Sequence, residues 1–245
     1  MKKSLCRRCE LRFYRGEAIS SSNATAVRWF FNERFVVRIM KKGLLITFEG
    51  IDGCGKSVQA RRCHRFLLNR GYNVILMREP GSTPVAERLR RILLDKKLSI
   101  PDVTELLLYE AARSELVDKV IRPSLRQGKI VLLDRFYDST TAYQGYGREL
   151  NINMVRSLHK IATGGTVPDL TMVFNVDLKT AFARRSKNPD RLESQAVAFH
   201  ERVQRGFLEI ARKERRRVKV IDGTQAMEQV FREVRKLLEQ KLNLK

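Results

Sequence analysis

A chain of 245 residues with 43% hydrophobic and 31% charged composition is long enough to bury a full core, and one domain of ordinary size with an appendage is the natural reading. Its longest apolar runs, such as 43–48 and 130–133, fall far short of the roughly 20 residues that cross a bilayer, which excludes a membrane-spanning class. The formal charge of +22 points to anionic partners without choosing among nucleotide, nucleic acid and membrane surface.

Residues 1–42 hold 11 Lys+Arg against 3 Asp+Glu, and combine the polar run SSSNAT with the aromatic patch WFFNERF without a sustained period. They predict a basic N-terminal extension, poorly ordered or loosely docked, or a mis-assigned start with Met40 as the first residue. Acids are few, as in transit peptides, but an apolar h-region and a small-residue cleavage pattern are missing. Cys6 and Cys9 form a CxxC pair that no second pair completes into a zinc site, and with Cys54 and Cys63 they suit a reducing cytoplasm better than a disulfide framework.

From Gly43 onward, short apolar runs alternate with longer amphipathic segments. The runs at 44–48, 73–77, 129–134, 170–176 and 218–222 read as strands, and near-continuous apolar strands separated by helices predict a five-stranded parallel sheet covered on both faces. This is a doubly wound α/β fold of the P-loop NTPase type, occupying residues 43–245. Ligands of such sheets bind beyond the carboxyl ends of the strands, so the loops there hold the candidate chemistry.

The first such loop, Gly50 to Ser57, fits G-x-x-x-x-G-K-[ST] in full. Gly50, Gly53 and Gly55 let backbone N–H groups curl around phosphate oxygens, and Lys56 adds a full charge at the β/γ-phosphates. Ser57 can ligate Mg²⁺, and Val58 continues into the helix whose positive end faces the phosphates. The ligand predicted is a nucleoside triphosphate. After the third strand, Asp134 can hold the metal's water shell and Arg135 can grip a phosphate bidentately.

FEGIDGCGKS, MREPGST, LLLYEAARSEL, DRFYDSTTAYQGYGR, ATGGTVPDLTMVFNVD and PDRLE follow one another in an order and spacing that resemble the thymidylate kinase family over essentially all of 43–242. The resemblance implies ATP-dependent transfer of a phosphoryl group to dTMP, with Mg²⁺. It implies that Asp52 faces the acceptor's 3′-hydroxyl and phosphate, that Asp134 supports Mg²⁺, and that Arg78 and Arg135 hold the acceptor phosphate beside Pro80 of the MREPGST loop. By the same resemblance Tyr109 stacks on thymine and Arg113 hydrogen-bonds it. Thr140 and Gln144 complete the base site, and Tyr143 crowds a 2′-hydroxyl. A homodimer is implied as well, with the helices near 106–125 and 152–162 as its candidate interface; no nucleic-acid or membrane partner is.

Ser82, Val58, Glu110 and Ala112 depart from the residues usual in the family, without removing a phosphate ligand. Between the two P-loop glycines Gly50 and Gly55 there is no arginine to neutralise the transferred phosphoryl group. The basic helix end and Asn-Pro turn at 183–193 resemble a lid that supplies it, with Arg185 and Arg191 as the catalytic candidates beside Lys56 and Asp52, and Arg184 as a substitute. His64, His159 and His200 read as surface positions, and the stretch 212–217 as a helix end.

Overall fold

A computed structural model describes residues 18–21, 24–28, 36–40, 42–185 and 188–243. Cys6 and Cys9 lie outside these. Three short strands, β1 (Ala18–Ser21), β2 (Ala24–Arg28) and β3 (Val36–Met40), pair antiparallel in that order. The sequence reading names no strand in this stretch, because it shows no sustained hydrophobic period. Met40 donates its N–H to the Gly128 carbonyl at 3.3 Å, where the chain enters the main body.

The main sheet is built from β4 (Leu44–Glu49), β5 (Val74–Arg78), β6 (Ile130–Asp134), β7 (Leu170–Asn175) and β8 (Val218–Asp222). Their order is β5-β6-β4-β7-β8 and every pairing is parallel. The five runs predicted as strands are these five, and the reason is visible in β4. Ile46 and Phe48 point into a core with Leu67, Phe174 and Phe207, whereas Leu45 points to the opposite side with Leu116, Ile121 and Val131. A strand buried on both faces has no polar face to alternate with, so its sequence is apolar throughout.

Helix α1 (Lys56–Leu68) follows β4; α2 (Pro84–Leu94) and α3 (Asp102–Leu116) follow β5. A π-helical turn, Val117–Ile121, joins α3 to α4 (Arg122–Arg126). Beyond β6, α5 (Tyr137–Thr140) runs into a second π-helical stretch, Thr141–Gly147, and then α6 (Ile152–Thr163). The remaining helices are α7 (Leu178–Ala183), α8 (Val197–Lys213) and α9 (Met227–Lys241). Caps mark several starts: Thr83 accepts from Ala86 N–H with Pro84 at the first helical position, and Asp177 accepts from Thr180 N–H.

Two positions read as unremarkable surface prove to be interior. His159 is buried between Glu110 (2.7 Å) and Thr141 (2.9 Å), and His200 is wholly buried beneath Arg185. Both lie on helices, α6 and α8, and each sits on the side of its helix that packs inward. Arg217 is likewise no loose helix end. Its guanidinium forks onto Asp138 at 2.7 and 2.8 Å and also reaches Thr171, fastening the start of β8 to α5.

Candidate active site

Two clefts open at the carboxyl end of the sheet and meet at Asp52. The donor-side cleft is lined by the loop from Asp52 to Ser57, by Arg184 and Arg185, and by the Gly223–Met227 turn after β8. Its geometry rests on glycine. A Cβ on Gly53, at φ +85°, would stand 2.1 Å from the Ala181 carbonyl oxygen, and one on Gly50, at φ +136°, would stand 2.6 Å from that of Phe174. Gly55, at φ +91°, turns the chain into α1, so that the first turn of the helix, with Lys56, Ser57 and Val58, lines the cleft.

Asp52 is the hinge of the site. Lys56 Nζ lies 3.2 Å from its Oδ1, Arg135 Nη2 lies 2.5 Å from the same oxygen, and the Tyr143 hydroxyl donates to Oδ2 at 3.0 Å. Burial alone would raise its pKa, but the charges of Arg135 and Lys56 outweigh it and hold the carboxyl well below the usual carboxylate range. Asp52 is therefore an anion throughout the working pH range, with two cations already gathered on it.

Arg135 owes its position to a backbone that few side chains accept. Its φ is +72°, its N–H donates to the Phe48 carbonyl, and its Nη1 donates to the Gly50 carbonyl and to Ser139 Oγ, each at 2.9 Å. The turn is anchored from below by Glu49, wholly buried at the end of β4, which accepts from Phe136 N–H at 2.7 Å and from Ser139 Oγ at 2.5 Å. Burial, with the charge of Asp138 beside it, pushes the Glu49 carboxyl up to about 8 in spite of those hydrogen bonds and of Arg135.

The acceptor-side cleft encloses about 550 Å³ of empty space including its mouth. Of the residues proposed from sequence, Asp52, Pro80, Tyr109, Arg113, Arg135, Thr140, Tyr143 and Gln144 all line it. Arg113 is almost fully buried and forks three ways, to Glu79 at 2.9 Å, Glu110 at 2.6 Å and Thr140 Oγ1 at 2.8 Å. Burial works against its charge, but the two carboxylates raise its pKa above the ordinary guanidinium value. Glu79 is also pushed up, to about 7, because burial and the neighbouring Glu110 outweigh its ion pair.

Other proposed residues stand elsewhere. Arg78 is half exposed and turned to Glu87, at 3.1 and 3.2 Å, and the guanidinium that lines the acceptor cleft from that side is Arg90 on α2. Arg185 lines the donor cleft, with Nε 3.4 Å from the Asp52 carbonyl oxygen and its guanidinium 4.1 Å from the Phe182 ring centroid. Arg184 lines the same cleft and donates to the Gly223 carbonyl at 3.0 Å. Arg191 lines neither cleft. Its Nη1 lies 2.6 Å from Glu105 and its Nε donates to the Leu93 carbonyl at 2.9 Å.

The proposed magnesium residues can be tested against Asp134, whose Oδ1 is buried without a hydrogen-bond partner among the described residues. A carboxylate oxygen held in that state suits the water shell of a cation. Among the described residues no three His, Cys, Asp or Glu side chains gather as a metal cage, and Mg²⁺ needs none, since it takes most of its shell from phosphates and water. Ser57 faces the donor cleft. The residues present fit the ion.

A family model described as thymidylate kinase matches residues 48–234. Among curated relatives, the thymidylate kinase of Thermoanaerobacter sp. (strain X514) is 45% identical over 194 residues, covering 79% of this chain and 96% of its own. The chain belongs to the thymidylate kinase family. The thymidylate kinase of Trichormus variabilis is also 45% identical, over 201 residues, with 80% of this chain and 95% of its own covered. A crystal structure of thymidylate kinase from Ehrlichia chaffeensis superposes with a TM-score of 0.68 at 37% identity, covering 81% of this chain and 99% of that one.

Residues of this kinase site that sequence reasoning passed over include Glu49, Glu79, Arg90, Glu105 and Ser139. Glu79 lies inside the MREPGST motif and Ser139 inside DRFYDST, so their signal is the motif that holds them. Arg90 sits in ERLRR, where nothing distinguishes an inward arginine from its exposed neighbours.

Proposed function

We propose that the two clefts serve one reaction: the kinase transfers the γ-phosphoryl group of ATP to dTMP, giving dTDP and ADP. The observation that carries this reading is the meeting of the clefts at Asp52, with Lys56 on the donor side and Arg135 on the acceptor side of one carboxylate. Phosphoryl transfer in line needs a triphosphate and a monophosphate end to end, with positive charge along the path. Lys56, Arg185 and Arg135 supply that charge in sequence. Tyr109 offers the thymine a face and Arg113 a donor array already locked by Glu79 and Glu110, so little order is lost when the base arrives. Tyr143, held by its hydroxyl against Asp52, fills the space where a ribose would carry its 2′-oxygen.

Of the lid arginines we assign the catalytic contact to Arg185, because it already lines the donor cleft beside the Asp52 backbone. Mg²⁺, when bound, neutralises the β- and γ-oxygens, and Ser57 and Asp134 are the residues that would hold it. We assign residues 43–245 to the kinase domain and residues 1–42 to an extension the chemistry does not use. A homodimer is favoured by the exposed apolar side chains Val103 and Leu107 on α3 and Ile161 on the adjoining α6.

A coupled assay with ATP, Mg²⁺ and each of dTMP, dUMP, dCMP, dAMP and dGMP tests the reading. Preferred turnover of dTMP, by the full chain and by a chain beginning at Met40, is the expected result. No turnover of any pyrimidine monophosphate by either would overturn it.

A further inference from the structure

Glu105 on α3 is wholly buried, yet three donors from two parts of the chain converge on its carboxylate. Arg191 Nη1 approaches Oε2 at 2.6 Å, Arg148 reaches the two oxygens at 3.2 and 3.3 Å, and Gln144 Nε2 donates at 2.8 Å. Gln195 closes the group into a ring: its amide donates to the Arg191 carbonyl at 3.1 Å and accepts from Arg148 at 3.0 Å. Asp102, 3.3 Å from Arg148, supplies the second negative charge, so two cations face two anions.

The ring touches the acceptor cleft from two sides. Gln144 lines the cleft directly, and Asp190 and Leu192, the chain neighbours of Arg191, line it as well. Arg191 also donates to the Leu93 carbonyl at the end of α2, next to Leu94, a further lining residue. Its remaining nitrogen, Nη2, is buried with no partner among the described residues. What keeps the arginine there is its bond to a desolvated carboxylate, since a buried charge stripped of its partner is costly.

Resting on the dTMP reading above, we propose that Glu105 and Arg191 form a latch that shuts the 188–195 segment over the acceptor and fixes Gln144 against its base. Both are positioning residues for acceptor binding, and Arg191 is not the transition-state cation. The distinction is measurable, because a contact made equally to bound substrate and transition state moves KM and leaves kcat, whereas a transition-state contact moves kcat.

The test is a cycle of Glu105→Gln, Arg191→Leu and the double variant in the full chain, with kcat and dTMP KM read beside hydrogen exchange of 188–195 in the nucleotide-free protein. The latch predicts that each single variant raises KM by roughly ten- to a hundredfold with kcat within about threefold, that the double variant is no worse than the worse single one, and that backbone protection over 188–195 is lost in all three. A kcat loss beyond about a hundredfold in Arg191→Leu at unchanged KM, with Glu105→Gln neutral, would overturn it. So would unchanged protection. Should Glu105→Gln fail to fold, Arg191→Leu alone carries both readouts. If the unaltered protein turns over no dTMP, the function assigned above fails, while the exchange measurement still decides the latch.

Discussion

Arg135 reaches across 83 residues of sequence to set its Nη2 2.5 Å from Asp52 Oδ1, while Lys56 holds the same oxygen from the other side at 3.2 Å. The pairing welds the P-loop to the turn after β6, so neither half of the site is placed independently. Asp52→Asn keeps the shape and removes the charge that both cations share. It is expected to lower kcat/KM at least about a hundredfold and to cost about 1–3 kcal/mol of stability, discounted because both side chains keep some contact with water. Steady-state kinetics with dTMP and urea unfolding check the two parts; a variant with near-normal kcat/KM would remove Asp52 from the machinery.

The sheet and the P-loop were legible in the sequence because their signals are local. β4 announces itself by five apolar or small residues in a row, and Gly50 to Ser57 by glycines whose spacing tolerates little else. The acceptor cleft was legible through whole motifs, LLLYEAARSEL and DRFYDSTTAYQGYGR, whose Tyr109, Arg113, Thr140, Tyr143 and Gln144 all line it. What stayed hidden were carboxylates and cations whose meaning depends on a distant partner. Glu105 meets Arg191 from 86 residues away, and Glu49 meets Ser139 from 90. A helix period tells which face a residue occupies, but not that a charge on that face has its counter-charge on another element. Arg191 is the clearest case. The lid motif drew attention to it as a cation, and only the position of Glu105 shows where that cation points.

Glu49 makes the turn that carries Arg135 sensitive to pH. With its carboxyl raised from 4.5 to about 8, the folded protein keeps a proton that the unfolded chain has already released between those values. Stability from this group is therefore full below pH 4.5 and declines as the pH rises towards 8. Glu49→Gln keeps an acceptor for Phe136 N–H and cannot titrate. Relative to it, the unaltered protein should lose stability, on the order of a few kcal/mol, between about pH 5 and about pH 8.5. Urea midpoints at the two pH values read this directly, and parallel pH profiles of the two proteins would contradict it.

Arg113 illustrates why a conservative change is costly at a buried fork. Its three donors serve Glu79, Glu110 and Thr140 at once, and among the described residues the one other side chain hydrogen-bonded to these two carboxylates is His159 beside Glu110, whose pKa burial holds below the ordinary histidine value, so Arg113 is their cation. A lysine keeps the charge but offers a point where a planar fork is needed. Arg113→Lys is expected to destabilise the fold by about 2–4 kcal/mol and to raise dTMP KM more than ATP KM, since only the acceptor cleft is reshaped. Equal changes in the two KM values would place the loss in the fold as a whole.

Arg185 lies on the donor cleft with its Nε 3.4 Å from the Asp52 carbonyl oxygen, a long contact made to neutral groups: that carbonyl, the Glu193 carbonyl at 3.3 Å and the imidazole of His200. Among the described residues no carboxylate is hydrogen-bonded to it, which leaves its charge free for a phosphoryl group passing between the clefts. The imidazole must be neutral to tolerate it. Burial, and the charge of Arg185 itself, hold the His200 pKa below the ordinary histidine value, so His200 stays unprotonated at neutral pH. Arg185→Ala should lower kcat by about a hundredfold or more while dTMP KM changes by only a few fold, because the contact strengthens as charge spreads over the equatorial oxygens. Arg185→Lys should recover part of the rate, since the charge remains and the fork is lost. A fall confined to KM in either variant would assign Arg185 to ground-state binding and leave the transition-state charge to Arg184, which faces the same cleft.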